Sequence, residues 1–119
     1  MVTTGCLTTH VLDTARGLPA GGIEVRLHRL YADGRRDLLC TRATNADGRT
    51  DEPLLGAGEL AAGTYELSFA VGEYLTACGA PSPPFLDVVP VRFTVTAPAE
   101  GHHVPLLLSS FAYSVYRGS

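Results

Sequence analysis

Four histidines, Arg49 and the closing segment Tyr116-Arg117-Gly118-Ser119 hold most of the chemistry available in this chain. His10 lies between Thr9 and Val11 near the end of one strand-like stretch. His103 opens another, His103-Val104-Pro105-Leu106-Leu107-Leu108-Ser109. Neutral imidazoles can take up and return protons near pH 7. An arginine can orient a planar, acceptor-rich molecule through forked hydrogen bonds, and a hydroxyl such as that of Ser119 can hold a water or help relay a proton. If the first and last strands are neighbours, His10, Arg49, His103 and the tail converge, and the group suits metal-free hydrolysis of a polarised amide or imine. Taken singly, each histidine reads more plainly as a structural residue hydrogen-bonded to nearby backbone. His28, on the polar face of its strand, reads as a solvated surface residue. The tail adds a signal of its own. It follows the apolar stretch Val104 to Tyr113 with no linker, and a terminus so dense in donors and acceptors points to part of a site rather than a frayed end.

Other site chemistries fit less well. A metal held by two histidines needs a third ligand at suitable spacing. The chain has no His-x-His or Glu-x-x-His pattern, and the adjacent His102 and His103 point to opposite faces of a strand. No metal and no cofactor are expected. Ser119 is not embedded in a Gly-x-Ser-x-Gly elbow, which argues against a Ser-His-Asp hydrolase. Cys6, Cys40 and Cys78 are odd in number and widely spaced, so they form neither a disulfide framework nor a zinc knuckle. Buried free thiols in a reducing cytoplasm are the expectation.

The 119 residues are enough for one domain with one core, expected to span 1–119. A composition 45% hydrophobic and 18% charged excludes a disordered or fibrous chain. Net charge is −3 and the nine basic residues are scattered. The one short cluster, Arg35-Arg36, is flanked by Asp33 and Asp37, so nucleic acid is not an expected partner. No apolar run is long enough to cross a bilayer. Met1 to Cys6 lacks a basic region followed by a long apolar one, so no secretory signal is read there.

Thirteen glycines and eight prolines punctuate the chain at intervals that suit an all-β domain. Leu7-Val11 reads as a first strand, and Leu18 to Gly22 as a turn. Ile23, Val25 and Leu27 alternate with Glu24, Arg26 and His28 in a half-buried strand. Asp37 to Ala43 is its hairpin partner. Asn45-Ala46-Asp47-Gly48-Arg49 is a tight turn, with Asp-Gly supplying the positive φ such turns favour. Tyr65 to Val71 and Val89 to Val95 alternate again, and Pro90 suggests that the second of these lies at a sheet edge or begins there. Glu73 to Cys78 can hold a short helix. His103-Ser109 and Ala112-Tyr116 are the last strands. Seven or eight short strands with no long amphipathic helix predict a two-sheet antiparallel sandwich.

The segments at the two ends and the central turn resemble the hydroxyisourate hydrolases, the enzyme branch of the transthyretin-like family. At the end, His103 to Ser109 followed by Phe111 to Ser119 is similar to the family's C-terminal signature almost position by position. Leu7-Thr8-Thr9-His10-Val11-Leu12-Asp13 with Gly17-Leu18-Pro19-Ala20 resembles its N-terminal signature, and Thr44 to Arg49 its central turn. Order, spacing and length agree, so the resemblance covers nearly the whole chain. One departure is visible. Many relatives read His-Tyr-His before Val-Pro, whereas this chain reads Gly101-His102-His103. The histidine next to Val104 is retained, and His102 is expected to be structural or at the surface.

The resemblance implies a transthyretin-like sandwich with a short helix and a homotetramer built as a dimer of dimers. It places the active sites in a channel between dimers. It further implies cofactor-free opening of the ring of 5-hydroxyisourate by water, on the route from urate to allantoin. Carried over by position, His10, Arg49 and His103 match the family's catalytic polar triplet. Tyr116, Arg117 and Ser119 match its terminal site residues, with Arg117 alternatively bracing the tail through a salt bridge. A second reading is a transthyretin-like carrier of a small ligand. That would be expected to replace the polar triplet and tail by apolar or small residues. A third, an extracellular adhesion sandwich, predicts a signal sequence and paired cysteines, and neither is read here.

Overall fold

The computed structural model describes residues 5–118. Strands β1 (Leu7–Asp13), β2 (Leu18–Pro19), β3 (Glu24–Leu30), β4 (Arg36–Ala43) and β5 (Gly63–Ala70) precede helix α1 (Gly72–Ala77). Strands β6 (Val88–Val95), β7 (His102–Leu108) and β8 (Tyr113–Val115) follow it. They make two four-stranded sheets, ordered β2-β1-β7-β8 and β4-β3-β5-β6. Val11, Val104, Leu106 and Leu108 of the first sheet join Val25, Leu27, Tyr65, Leu67, Phe69 and Val89 of the second in one apolar core. Burying each such side chain contributes about 1.5–3 kcal/mol. The sandwich and its short helix are therefore as expected.

One ladder differs from an all-antiparallel reading. β1 and β7 run parallel, Leu7 to Asp13 facing His102 to Leu108, while the other strand pairs are antiparallel. A hairpin forces two consecutive strands to run antiparallel, but segments from opposite ends of a chain are under no such constraint. Smaller differences are local. Leu18 and Pro19, read as turn, pair with Asp13 and Leu12 as a two-residue strand. The helix sits one residue earlier than Glu73–Cys78. Gly79, at φ 101, ends it by donating to the Thr76 carbonyl while Ala80 donates to the Leu75 carbonyl. β6, with Pro90, lies at a sheet edge, one of the two placements its proline allowed.

The thiols do not all share one environment. Cys6 is buried, Cys40 intermediate and Cys78 exposed. The expectation of buried cysteines fails at Cys78 because α1 buries only Gly72 and Leu75, leaving its C-terminal end in solvent.

Strand alternation decides which side chains reach the outer face of the first sheet. On β1 the buried residues are Leu7, Thr9, Val11 and Asp13, and the half-buried ones between them are Thr8, His10 and Leu12. On β7, Val104, Leu106 and Leu108 turn inward, while His103 and Leu107 are half-buried on the other side. The apolar inner face of β1 and β7 therefore sets the height and angle of the polar outer one. Leu106→Ala, at a fully buried position, is expected to cost about 2–5 kcal/mol. A lowered urea midpoint with an unchanged denaturant slope checks it.

Candidate active site

The β1–β7 register sets Thr8 beside His103 and His10 beside Pro105. The two imidazoles are therefore diagonal neighbours on one face, their ring centroids 6.5 Å apart and their planes tilted by 37°. Two further segments extend the face. Arg49 forms an isolated antiparallel bridge with His10 on the β2 side of β1, and Gly118 forms one with His103 on the β8 side of β7. The strands that carry His10 and His103, β1 and β7, are thus neighbours, as convergence of the site demanded.

The turn that carries Arg49 is built by Asn45. Its side-chain oxygen accepts from the amides of Asp47 at 2.9 Å and Arg49 at 3.2 Å, and its carbonyl accepts from Gly48 at 2.9 Å. Gly48 has φ 74, and a Cβ there would run into the Val11 carbonyl and lie 3.2 Å from Cδ2 of His10. Glycine at 48 is what lets the turn lie against β1, where its carbonyl accepts from the Val11 amide at 2.8 Å.

Each imidazole has one nitrogen engaged. Nε2 of His10 lies 3.0 Å from the Asp47 carbonyl. A carbonyl can only accept, so that nitrogen carries the proton, and the lone pair of the neutral ring is at Nδ1. Nδ1 of His103 lies 2.8 Å from the Thr8 hydroxyl. The His103 carbonyl accepts from the Gly118 amide at 2.7 Å. A Cβ at 118 would fall 2.6 Å from Cδ2 of His103, so the ring fits only beside a glycine.

Electrostatics push both rings the same way. Partial burial lowers the pKa of each below 6.5, and the positive Arg49 guanidinium lowers both further. His103 also feels His10, while the Asp47 carbonyl and carboxylate partly offset the effect at His10. Both rings are neutral at neutral pH. The face then holds lone pairs able to accept a proton and, beside them, one fixed cation.

A model of the HIUase/Transthyretin family matches residues 7–118. The chain belongs to the HIUase/Transthyretin family. It is 56% identical over 117 residues to a 5-hydroxyisourate hydrolase of Mesorhizobium japonicum, covering 97% of this chain and 93% of that one. Among solved structures it resembles (S)-allantoin synthase with a TM-score of 0.89 and 42% identity, over 99% of this chain. The match spans only 45% of that longer protein. Sea bream transthyretin in complex with thyroxine is also similar, with a TM-score of 0.84 and 30% identity over 94% of this chain and 93% of that one.

The remaining candidates in this HIUase/Transthyretin family member fall in several places. Tyr116 is 54% exposed. Arg117 is directed to Glu100, Nη2 to Oε1 3.3 Å, with both side chains largely exposed, so the pair adds little stability. Ser119 lies outside the described residues. His102 turns inward, 6% exposed, with Nδ1 2.9 Å from the Glu100 carbonyl, a structural histidine. His28 is on the other sheet, beside Glu66, and is half-buried rather than fully solvated. Among the described residues no group of three His, Cys, Asp or Glu could hold a metal ion, and no helix is long and apolar enough to cross a membrane.

Sequence reasoning passed over Thr8, the Asp47 carbonyl and Gly118. A signal existed for Thr8 alone, since period two puts it on the face of His10. Bound protons report the electrostatics directly. In the folded protein the ring resonances of His10 and His103 are expected to titrate below 6.5, and Arg49→Met moves both midpoints up. Because the unfolded chain holds those protons more tightly, acidification below 6.5 also costs stability. NMR pH titration checks the midpoints, and midpoints above 6.5 would contradict this electrostatic picture.

Proposed function

We propose that this chain hydrolyses 5-hydroxyisourate to 2-oxo-4-hydroxy-4-carboxy-5-ureidoimidazoline, in the route from urate to allantoin. The observation that carries the reading is the pair of neutral imidazoles with Arg49 on one face of β1 and β7. The high identity to a 5-hydroxyisourate hydrolase across almost the full length supports the substrate. Water adds to a ring amide carbon and the carbon–nitrogen bond breaks. The carbon becomes a carboxyl group that ionises, and the leaving nitrogen takes a proton and becomes the terminal NH2 of the ureido group. No redox equivalent is required.

The protonation states shape the mechanism. With both rings neutral, neither begins as an imidazolium, so the proton delivered to the leaving nitrogen is the one first drawn from water. One imidazole takes that proton and returns it, while the other orients the water or the substrate through a hydrogen bond. Arg49 steadies the substrate oxygens and the negative charge that grows during attack. Tyr116 and Ser119 shape the pocket and hold substrate or water, and Arg117 is turned to Glu100 at the surface.

We further propose a homotetramer, a dimer of dimers, acting in the cytoplasm. Supporting this, Arg49 is exposed in the single chain. Phe85 and Phe111, with ring centroids 6.0 Å apart, are 73% and 68% exposed, an apolar surface suited to a second subunit. A carrier on the same fold, such as the thyroxine-bound relative, is the competing reading. The charged and polar character of the outer face supports hydrolysis instead, since ligand channels of carriers favour apolar lining.

The test is the absorbance decay of 5-hydroxyisourate, generated in place by urate oxidase, with and without the protein and with no added metal. Decay far above the spontaneous rate is expected, and His103→Ala is expected to lower it about a hundred- to ten-thousandfold. Spontaneous decay in the presence of folded wild-type protein would overturn the reading.

A further inference from the structure

Two adjacent threonines on β1 do different things. Thr9 faces inward, is 2% exposed, and donates to the Val104 carbonyl at 2.7 Å. That is the ordinary work of a buried hydroxyl, tying one strand to the next. Thr8 faces outward, and its hydroxyl makes no such backbone bond among the described residues. Its partner is a ring nitrogen, Nδ1 of His103, at 2.8 Å across the parallel ladder. The ring is also confined from the other side, where Gly118 leaves no room for even a methyl group. Thr8 and Gly118 therefore hold His103 in one orientation, with Nδ1 engaged and Nε2 without a partner among the described residues.

We propose that Thr8 is a positioning residue for catalysis, whose hydroxyl accepts the Nδ1 proton of His103 and makes Nε2 of that ring the nitrogen that draws the proton from water. This rests on the hydrolase reading above. A hydroxyl can donate or accept. In the neutral ring only the tautomer with the proton on Nδ1, donated to the hydroxyl, leaves Nε2 able to accept. Once Nε2 has taken the water proton both nitrogens carry hydrogens, and the hydroxyl must then accept. The bond therefore survives the proton transfer, and it is stronger to the charged ring than to the neutral one. An interaction that strengthens as charge develops favours the transition state over the ground state.

The contrast with His10 settles the division of labour. Its Nε2 proton is committed to the Asp47 carbonyl, so the ring is anchored to the turn rather than to a neighbour that can rotate its own hydrogen. His103 takes the proton, and His10 orients the water or the substrate. A carboxylate in place of Thr8 would also hold the ring, but it would raise the proton affinity of His103 and trap the imidazolium. The neutral hydroxyl supports the charged ring more weakly, raising its proton affinity without trapping the imidazolium. Among the described residues, the charged and titratable groups that act on His103 are Arg49 from the turn and His10 from β1.

Thr8→Val keeps the branched shape and removes the hydroxyl, and Thr8→Ser keeps the hydroxyl. Steady-state turnover of 5-hydroxyisourate and the NMR titration of His103 are measured on each. Thr8→Val is expected to lower kcat about tenfold with little change in KM. It also moves the His103 midpoint down, because the charged ring loses its acceptor. Thr8→Ser restores both. Thr8→Ala serves as a second hydroxyl-free variant should valine disturb the sheet. A folded hydroxyl-free variant with wild-type kcat and an unmoved midpoint overturns the proposal, as does failure of serine to restore them. If the wild-type protein does not turn over 5-hydroxyisourate, the activity reading fails, while the His103 midpoint in Thr8→Val still decides whether the hydroxyl acts on the ring.

Discussion

The parallel ladder between β1 and β7 joins residues 95 positions apart in the chain, as Thr8 and His103 are. The spacing of the two imidazoles follows from its register. A slip of one residue would turn every side chain of one strand to the opposite face and send His10 or His103 into the core. The slip is prevented by apolar packing, because Leu7, Val11, Leu106 and Leu108 are fully buried on the inner face. The hydrophobic effect that stabilises the sandwich thus also fixes the geometry of its polar surface. The Asn45–Arg49 turn and Gly118 are attached to this ladder by single bridges on either side.

Charge and burial then set what the face can do. Imidazoles half out of water beside an arginine resist protonation. That keeps their lone pairs available at neutral pH, and it leaves Arg49 as the positive group nearest the site's two rings. In the proposed reaction, the same positive charge that discourages an imidazolium at rest favours the negative charge that develops on a substrate oxygen. Glycine is required at two places beside the rings. At 118 a side chain would displace the His103 ring, and at 48, where φ is positive, it would run into the Val11 carbonyl next to His10.

Much of this was legible in residue order. Period-two alternation marked the long strands, Pro90 marked an edge, and Asp47-Gly48 marked the turn. The resemblance of both termini and the central turn to one family singled out His10, Arg49 and His103, which the fold brings to one face. What was not legible depends on partners distant in the chain. The direction of the β1–β7 pair has no local signature, since no connecting turn constrains it. The role of the Asp47 carbonyl cannot be read from residue type, because a backbone oxygen is the same in every residue. Thr8 and Thr9 look alike in the sequence and differ only in which face meets which neighbour. The exposure of Cys78 follows from which side of a six-residue helix packs inward.

The claim at the centre of this account is that His10 and His103 act as one unit built by the strand register. A cycle of His10→Ala, His103→Ala and the double variant, each measured for kcat/KM on 5-hydroxyisourate, tests it most directly. The account predicts strong non-additivity, with the double variant little worse than the more damaged single one. Losses that multiply, so that the double variant falls by the product of the two single effects, would show two independent groups and contradict it.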